Sequence, residues 1–341
     1  MISPMNWTIV REFPDPGVQA SWNEFLERAD YPYFYVAPEY FLEPFLRDKT
    51  PFAILAWDDG RIVGVLTGMH EDSKIVSGFT SRPQTVFGIS ASQAAVADCL
   101  LDGLSAETGN DTLVTLYTWT EVPAFAARGY KHQLEDGVVM LDLTGGADAL
   151  FKEFSSNRRT NVRKALKQGM DVSIATTREE FRAYYDIYVD WSQRKQLPYT
   201  TYDVMEDALM LTEHRKLFLA RFDGKILAGV IIRVHPTGMI IYAANSSIKE
   251  SLTLKPNDVL HWRVMEWACS QGYKRYNLGG AHLFLRKMGG TVIPSHRYRL
   301  DRTLLHRHDA KDALRASTSK LLHAMPEKMQ RKVRHILRRD A

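Results

Sequence analysis

The chain has little cysteine: Cys99 and Cys269 are its two thiols in 341 residues. Neither lies in a Cys-x-x-Cys pair or beside a histidine at metal-ligand spacing, so neither a disulfide framework nor a zinc site is expected, and no metal is expected as a cofactor. No uncharged apolar run reaches 18 residues, which excludes a membrane-spanning helix legible in the sequence. Met1 to Val10 has no basic segment ahead of an apolar core, so a signal peptide is not expected. No Ser-His-Asp order, metal cluster or phosphate-binding loop stands out. These absences together predict reduced thiols and a cytoplasmic protein, at most one that works at the inner face of the membrane.

What is present is ordinary globular composition, 45% apolar, in a length that suits two domains of about 150 residues. Charge is unevenly spread. The net charge is +4, yet residues 301–341 alone hold eleven Lys/Arg against five Asp/Glu, so basicity is concentrated in the tail. That tail reads as two basic helices divided near Pro326, either lying on an anionic membrane or RNA backbone or packed as a solvated terminal helix.

The most informative stretch runs from Leu217 to Gly290. Leu217–Phe222 and Ile226–Val234 flank Asp223-Gly224, a strong hairpin signal because glycine accepts the positive φ of a tight turn. A third strand, Met239 to Ala244, follows. Lys255-Pro256-Asn257-Asp258 then opens a helix that stops at Gly272, and Tyr273 to Gly280 forms a short strand ending in a glycine pair. The same order recurs upstream at a spacing of 164 residues: Asp59-Gly60 answers Asp223-Gly224, Ser92–Ala106 answers Pro256–Ser270, and Thr112–Thr118 answers Tyr276–His282. Phe125 to Tyr130 answers Phe284 to Gly289 with a small shift. The ordered matches predict an internal duplication.

Outside these units, Trp7–Glu12 predicts a first strand, Val18–Arg28 a helix, Lys74–Phe79 a strand, and Gly137–Leu143 the last strand of the first half. Tyr31 to Tyr35 is an aromatic run that either walls a ligand cleft or fills the core. Thr177–Lys195 and Val204–Glu213 predict helices. Between the halves, Ser155 to Gly169 is strongly basic. On a helix, Arg159, Arg163 and Lys167 align at i, i+4, i+8, a row that either grips phosphates or carboxylates or is a solvated face.

A hairpin, strand, helix, strand unit set in tandem resembles the double acyltransferase fold of the GNAT superfamily, and more narrowly the Fem family of aminoacyltransferases. The resemblance spans roughly residues 50–300. It is carried by Asn161-x-Arg163-Lys164-Ala165-x-Lys167-x-Gly169, by Trp262, Trp267-Ala268 and Gly272 before Tyr276-Asn277-Leu278-Gly279-Gly280, and by Phe284 to Gly290. It implies an α/β (α+β) fold of tandem GNAT-like domains, each a mixed sheet flanked by helices. Their bounds would be 1–146 and 147–300, the second including the basic linking helix, with the tail at 301–341.

The resemblance further implies an acyltransferase that moves an acyl or aminoacyl group from acyl-CoA or aminoacyl-tRNA to an amine or hydroxyl of a cell-envelope or saccharide acceptor. Implied partners are therefore an envelope precursor, tRNA, and a peripheral membrane contact through the tail. Two departures matter. The family lysine that faces the acyl carbonyl falls on Leu285, followed by Arg286 and Lys287; one such cation is worth about 3–4 kcal/mol by analogy with an oxyanion-hole donor. The loop that would hold CoA phosphates, Ser251 to Asp258, has no glycine, and it carries Pro256 and an acidic Asp258.

The expected catalytic set is Lys287, Arg286, Tyr242 and Asn245. Arg158, Arg163, Tyr199, Asn277 and Gly279 are the expected substrate-binding residues, and His261 is either a base or a core histidine. Which half holds the reacting atoms is left open. The alternative function is a non-catalytic binding module that keeps the fold.

Overall fold

A computed structural model describes residues 5–88 and 92–312. The expected tail lies mostly beyond these residues. In the first half the elements are β1 (Asn6–Val10), α1 (Pro16–Leu26), β2 (Thr50–Asp58), β3 (Arg61–Glu71), β4 (Lys74–Phe79), β5 (Arg82–Pro83), β6 (Thr85–Phe87), α2 (Gln93–Glu107), β7 (Leu113–Thr118), α3 (Pro123–Ala127) and β8 (Lys131–Asp142). The second half has α4 (Gly146–Glu153), α5 (Ser156–Lys167), β9 (Asp171–Ile174), α6 (Arg178–Lys195), α7 (Tyr202–Met210), β10 (Arg215–Phe222), β11 (Lys225–Arg233), β12 (Met239–Ser247), α8 (Pro256–Ser270), β13 (Arg275–Asn277), α9 (Leu283–Arg286) and β14 (Thr291–Asp301). The hairpin, strand, helix, strand order therefore appears in both halves.

Local chemistry accounts for the boundaries. In both hairpins the Asp-Gly pair takes positive φ at both positions, 45° and 74° at Asp59-Gly60 and 51° and 73° at Asp223-Gly224. That twist matches the flanking strands. Thr177 and Glu180 form a reciprocal capping box at the start of α6, and Pro256 occupies the first turn of α8.

The two halves do not keep separate sheets. Among the described residues the strands form one 14-stranded sheet in the order β1-β2-β3-β4-β7-β14-β8-β13-β12-β11-β10-β9, with β5 and β6 off this path. β8, from the first half, pairs with β13 of the second, while β14, from the second, pairs with β7 of the first. β8 and β14 also pair with each other from Met140↔Thr291 to Lys131↔Arg299. Each half thus completes the other's sheet. This also explains why β8 begins six residues earlier than expected. Lys131 to Asp136 is polar and mostly exposed, so it lacks a buried-strand pattern and is recruited by β14 alone. Gly137 takes φ +70° where a Cβ would come within 1.9 Å of the Ile293 carbonyl oxygen, and the pairing shifts register opposite it, between Ile293 and Ser295.

Around the second half, α4, α5 and α8 cover one sheet face through Val162, Leu260, Val264, Ile240 and Tyr276. The opposite face carries α6 and α7 and, nearer the first half, Tyr33 to Tyr40 packed on Met140, Met239 and Ile241. The aromatic run is largely core: Tyr33, Phe34 and Tyr35 are buried.

Candidate functional site

The second half contains a notch in its sheet. β12 and β13 pair in parallel only from Met239↔Arg275 to Ile241↔Asn277, after which β13 ends and β12 runs on to Ser247. Beyond Ile241, β12 is paired only with β11. Its register against β11 slips by one residue, Ile231 facing Ala244 and Ile232 facing Tyr242, so Ala243 is an extra residue that bends the strand away. Tyr242 to Asn245 are consequently half-buried within an otherwise interior strand.

Among the described residues the first half lacks such an opening. There β4 and β7 pair from Lys74↔Leu113 to Ser77↔Leu116, but β4 turns back at Gly78, and β6 fills the position beyond, pairing with β3 over Thr85–Phe87 and with β7 at Thr85↔Thr118.

Tyr242 and Gly279 face one another across the notch. Gly279 has φ +76°, and a Cβ there would lie 2.8 Å from the Tyr242 ring, so glycine is required. Burial pushes the Tyr242 hydroxyl up to about 12, so it stays protonated. Tyr242 stacks on His261 with ring centroids 5.6 Å apart. His261 is 1% exposed; burial, then Arg158 and His282, hold its imidazolium pKa down at about 3, and its Nδ1 has no partner. It is a neutral core histidine, poorly suited to carry a proton.

On the α8 face a cavity of about 410 Å³ lies where the N-termini of α5 and α8 converge, with Ser155, Asn157, Asn257 and Lys255 on its walls and Phe284 and Lys287 opposite. The first turn of α5 favours an anion here, while α8 adds little, since Pro256 has no N–H and the Asp258 and Val259 N–H groups donate to the Lys255 carbonyl. Arg158 is buried in its wall but spoken for: it pairs with Asp258, donates to the Phe284 carbonyl at 2.9 Å and lies 4.0 Å from the Phe284 ring centre. Asn161 donates to the other Asp258 oxygen at 2.7 Å. Asp258 therefore neutralises Arg158, and the free cations are Lys255 and Lys287, neither with a carboxylate partner among the described residues.

The other expected residues are placed elsewhere. Arg286 is exposed and donates to the Ala281 carbonyl at 2.5 Å, outside the cavity wall. Asn245 donates to the Gly229 carbonyl at 2.8 Å. Asn277 is fully buried at the apex of the notch, its Nδ2 donating to Ser81 O at 2.8 Å and its Oδ1 accepting from Gly279 N–H at 2.8 Å. It ties the two halves and offers no open amide to a substrate. Arg163 lies over the Phe151 ring, and Tyr199 is exposed; neither shares the cavity of Arg158. The expected basic row is dispersed, since Arg159 donates to the Lys152 and Phe154 carbonyls at the end of α4.

Asp301, His306 and Asp309 bring ligand-type atoms within 4.8 Å of one another. Burial works against ionisation of Asp301, but hydrogen bonds from Thr303 and from the Asp309 and His308 N–H groups hold it down to about 2. This is a backbone cap at the start of the last described turn.

A second set of residues joins Tyr35, from the aromatic run that the sequence offered as a cleft wall, to others that sequence reasoning passed over. On the other face, a cavity of about 320 Å³ is lined by Tyr35, Glu43, Phe79, Arg82 and Arg233. The available signal was Arg233, a cation closing the apolar run Ile231-Ile232.

Residues 152–284 match the family model described as an acetyltransferase (GNAT) domain. No curated protein sequence matches the chain. Among solved structures, the chain is similar to FemX, with 15% identity over 84% of this chain and 96% of that one at a TM-score of 0.67. It is also similar to the C-terminal domain of a putative lysylphosphatidylglycerol synthetase from Agrobacterium fabrum, with 14% identity over 88% and 95% and a TM-score of 0.58. A tandem GNAT protein from the clavulanic acid biosynthesis pathway aligns at 11% identity over 88% and 99%, with a TM-score of 0.55. No helix among the described residues is long and apolar enough to cross a membrane.

Proposed function

We propose, from the GNAT-type fold and the match of residues 152–284 to an acetyltransferase (GNAT) domain, that the chain is an acyltransferase whose reaction takes place in the β12–β13 notch. The carrying observation is that this notch is open while β6 fills its counterpart in the first half. Cavities flank the sheet here on opposite faces: the one between α5 and α8 and the one beside Tyr35. A donor held on the α8 face and an acceptor on the other would meet at the sheet, an arrangement that fixes the angle of attack.

In this reading the anionic part of the donor rests on the N-terminus of α5 with Lys255 and Lys287. Its acyl carbonyl enters between Tyr242 and Gly279, where the unpaired edge of β12 offers backbone N–H groups to the developing oxyanion. Tyr242, protonated across the physiological range, donates a hydrogen bond to the departing group. Of the two cations expected, the geometry favours Lys287 over Arg286. The acceptor is an amine or hydroxyl of an envelope or saccharide precursor, the class that the resemblance to the Fem family implies.

The donor is chosen by experiment. A ligand that binds only the folded state raises its stability by mass action, so thermal unfolding is followed with acetyl-CoA, a longer acyl-CoA, and charged and uncharged tRNA. A shift with acyl-CoA identifies a CoA-dependent enzyme, and a shift with charged but not uncharged tRNA an aminoacyltransferase. No shift and no transfer with any donor would leave the non-catalytic binding module.

A further inference from the structure

Three arginines meet in the cleft between the halves with too little negative charge to balance them. Arg215, 2% exposed, and Arg233 share one carboxylate, Glu43, itself 4% exposed; Arg215 is paired with Glu43 Oε2 and Arg233 Nε lies 3.4 Å from the same oxygen. Arg82 has no carboxylate partner among the described residues; it donates to the Tyr35 hydroxyl. The nearby Lys49 is paired with Glu71. The cluster thus carries two uncompensated positive charges, an arrangement that is costly when removed from water unless a counter-ion completes it. Its hydrogen bonding is also incomplete: Arg215 Nη1 is buried without a partner. Burial, then repulsion by Arg233, brings the Arg215 guanidinium down to about 10.

The surplus faces open space. Arg82 and Arg233 line the cavity of about 320 Å³, and Arg233 and Arg215 line an adjoining, mostly apolar one of about 150 Å³. Both Arg82 and Arg233 lie against the Tyr35 ring, 4.5 and 5.1 Å from its centre, and the exposed rings of Phe79 and Phe45 stand at the rim.

The site is registered to the notch. Arg233, Ile241 and Asn277 are opposite one another on β11, β12 and β13, which sets the Arg233 backbone about 10 Å from the apex at strand spacing. Asn277 in turn holds Ser81, the neighbour of Arg82.

We infer that Arg82, Arg233 and Arg215 form a binding site for an oxyanion, phosphate or carboxylate, borne on an apolar or planar body, and that this group positions the acceptor. The acceptor role rests on the transferase reading above; the binding site does not. Guanidinium forks pair with either oxyanion in two-point fashion, while Phe45, Phe79 and Tyr35 contact the body.

The test is equilibrium titration of the full chain, without any donor, with phenyl phosphate, inorganic phosphate and benzoate, read by calorimetry. Saturable binding of phenyl phosphate or benzoate, tighter than inorganic phosphate and weakened at least tenfold in Arg82→Gln, supports the site, and the better of the two identifies the headgroup. Arg82→Gln should unfold at the same temperature as wild type or higher when no ligand is present, because it relieves repulsion, and Arg82→Lys should bind with intermediate affinity. Equal affinity in wild type and Arg82→Gln, loss only in the Lys255→Ala, Lys287→Ala double variant, or no saturable binding overturns the inference. Because no donor is present, failure of the transfer assay leaves this outcome readable.

Discussion

Single residues separate chemistry from scaffolding in the notch. Lys287 lines the cavity between α5 and α8 with no carboxylate partner among the described residues, so, on the proposed reading, Lys287→Ala should lower turnover by about 10²-fold or more while the unfolding temperature stays within a degree or two. Arg286→Ala should change turnover far less, since its guanidinium serves the Ala281 carbonyl. Steady-state rates with the donor found by unfolding shifts decide between them.

His261 makes a different prediction, about pH. Its folded-state pKa, about 3, lies below the ordinary histidine value of about 6.5, so the folded state resists protonation. The stability this contributes is fully present above about pH 6.5 and is lost progressively as pH falls toward 3. Denaturant unfolding at pH 6.5 and 5 should differ by roughly 2 kcal/mol from this group alone, and the difference should shrink in His261→Phe.

At the scale of the elements, the notch depends on two features of ordinary polypeptide geometry, the bulge at Ala243 and the positive φ of Gly279. Gly279→Ala places a methyl group 2.8 Å from the Tyr242 ring in a backbone conformation that L-residues resist. It should cost about 1–3 kcal/mol and displace Tyr242, so activity should fall by more than the stability loss explains. Activity measured well below the unfolding temperature separates the two effects. Both Asp-Gly turns were readable from the local sequence, because few dipeptides accept positive φ at both positions. The notch was not, because nothing local in Tyr242 to Asn245 says that its partner strand ends at Asn277.

Across the whole molecule, the exchange of β8 and β14 makes the halves mutually dependent. Neither sheet is complete without a strand from the other, and Asn277–Ser81 and Arg215–Glu43 add buried polar ties. We therefore expect a single cooperative unfolding transition, with calorimetric and van't Hoff enthalpies in agreement. Two resolved transitions would show that the halves fold independently.

Periodicity, turn chemistry and caps, all set by near neighbours, determined the element order, the paired hairpins and the internal duplication from the sequence by itself, and the resemblance to the GNAT superfamily rested on that order and on its motifs. Strand ends beside glycines also singled out Tyr242, Asn245, Asn277 and Gly279, and the Fem resemblance pointed to Arg286 and Lys287 beside Leu285. Tertiary structure alone decided that Arg158 is spent on Asp258, that Asn277 is a tie between halves, and that Arg82, Arg215 and Arg233 converge. The reason is physical: the charge state and freedom of a polar side chain depend on partners that lie 100 residues away in the Arg158–Asp258 pair and 172 in the Arg215–Glu43 pair, and only the folded sheet brings those partners together.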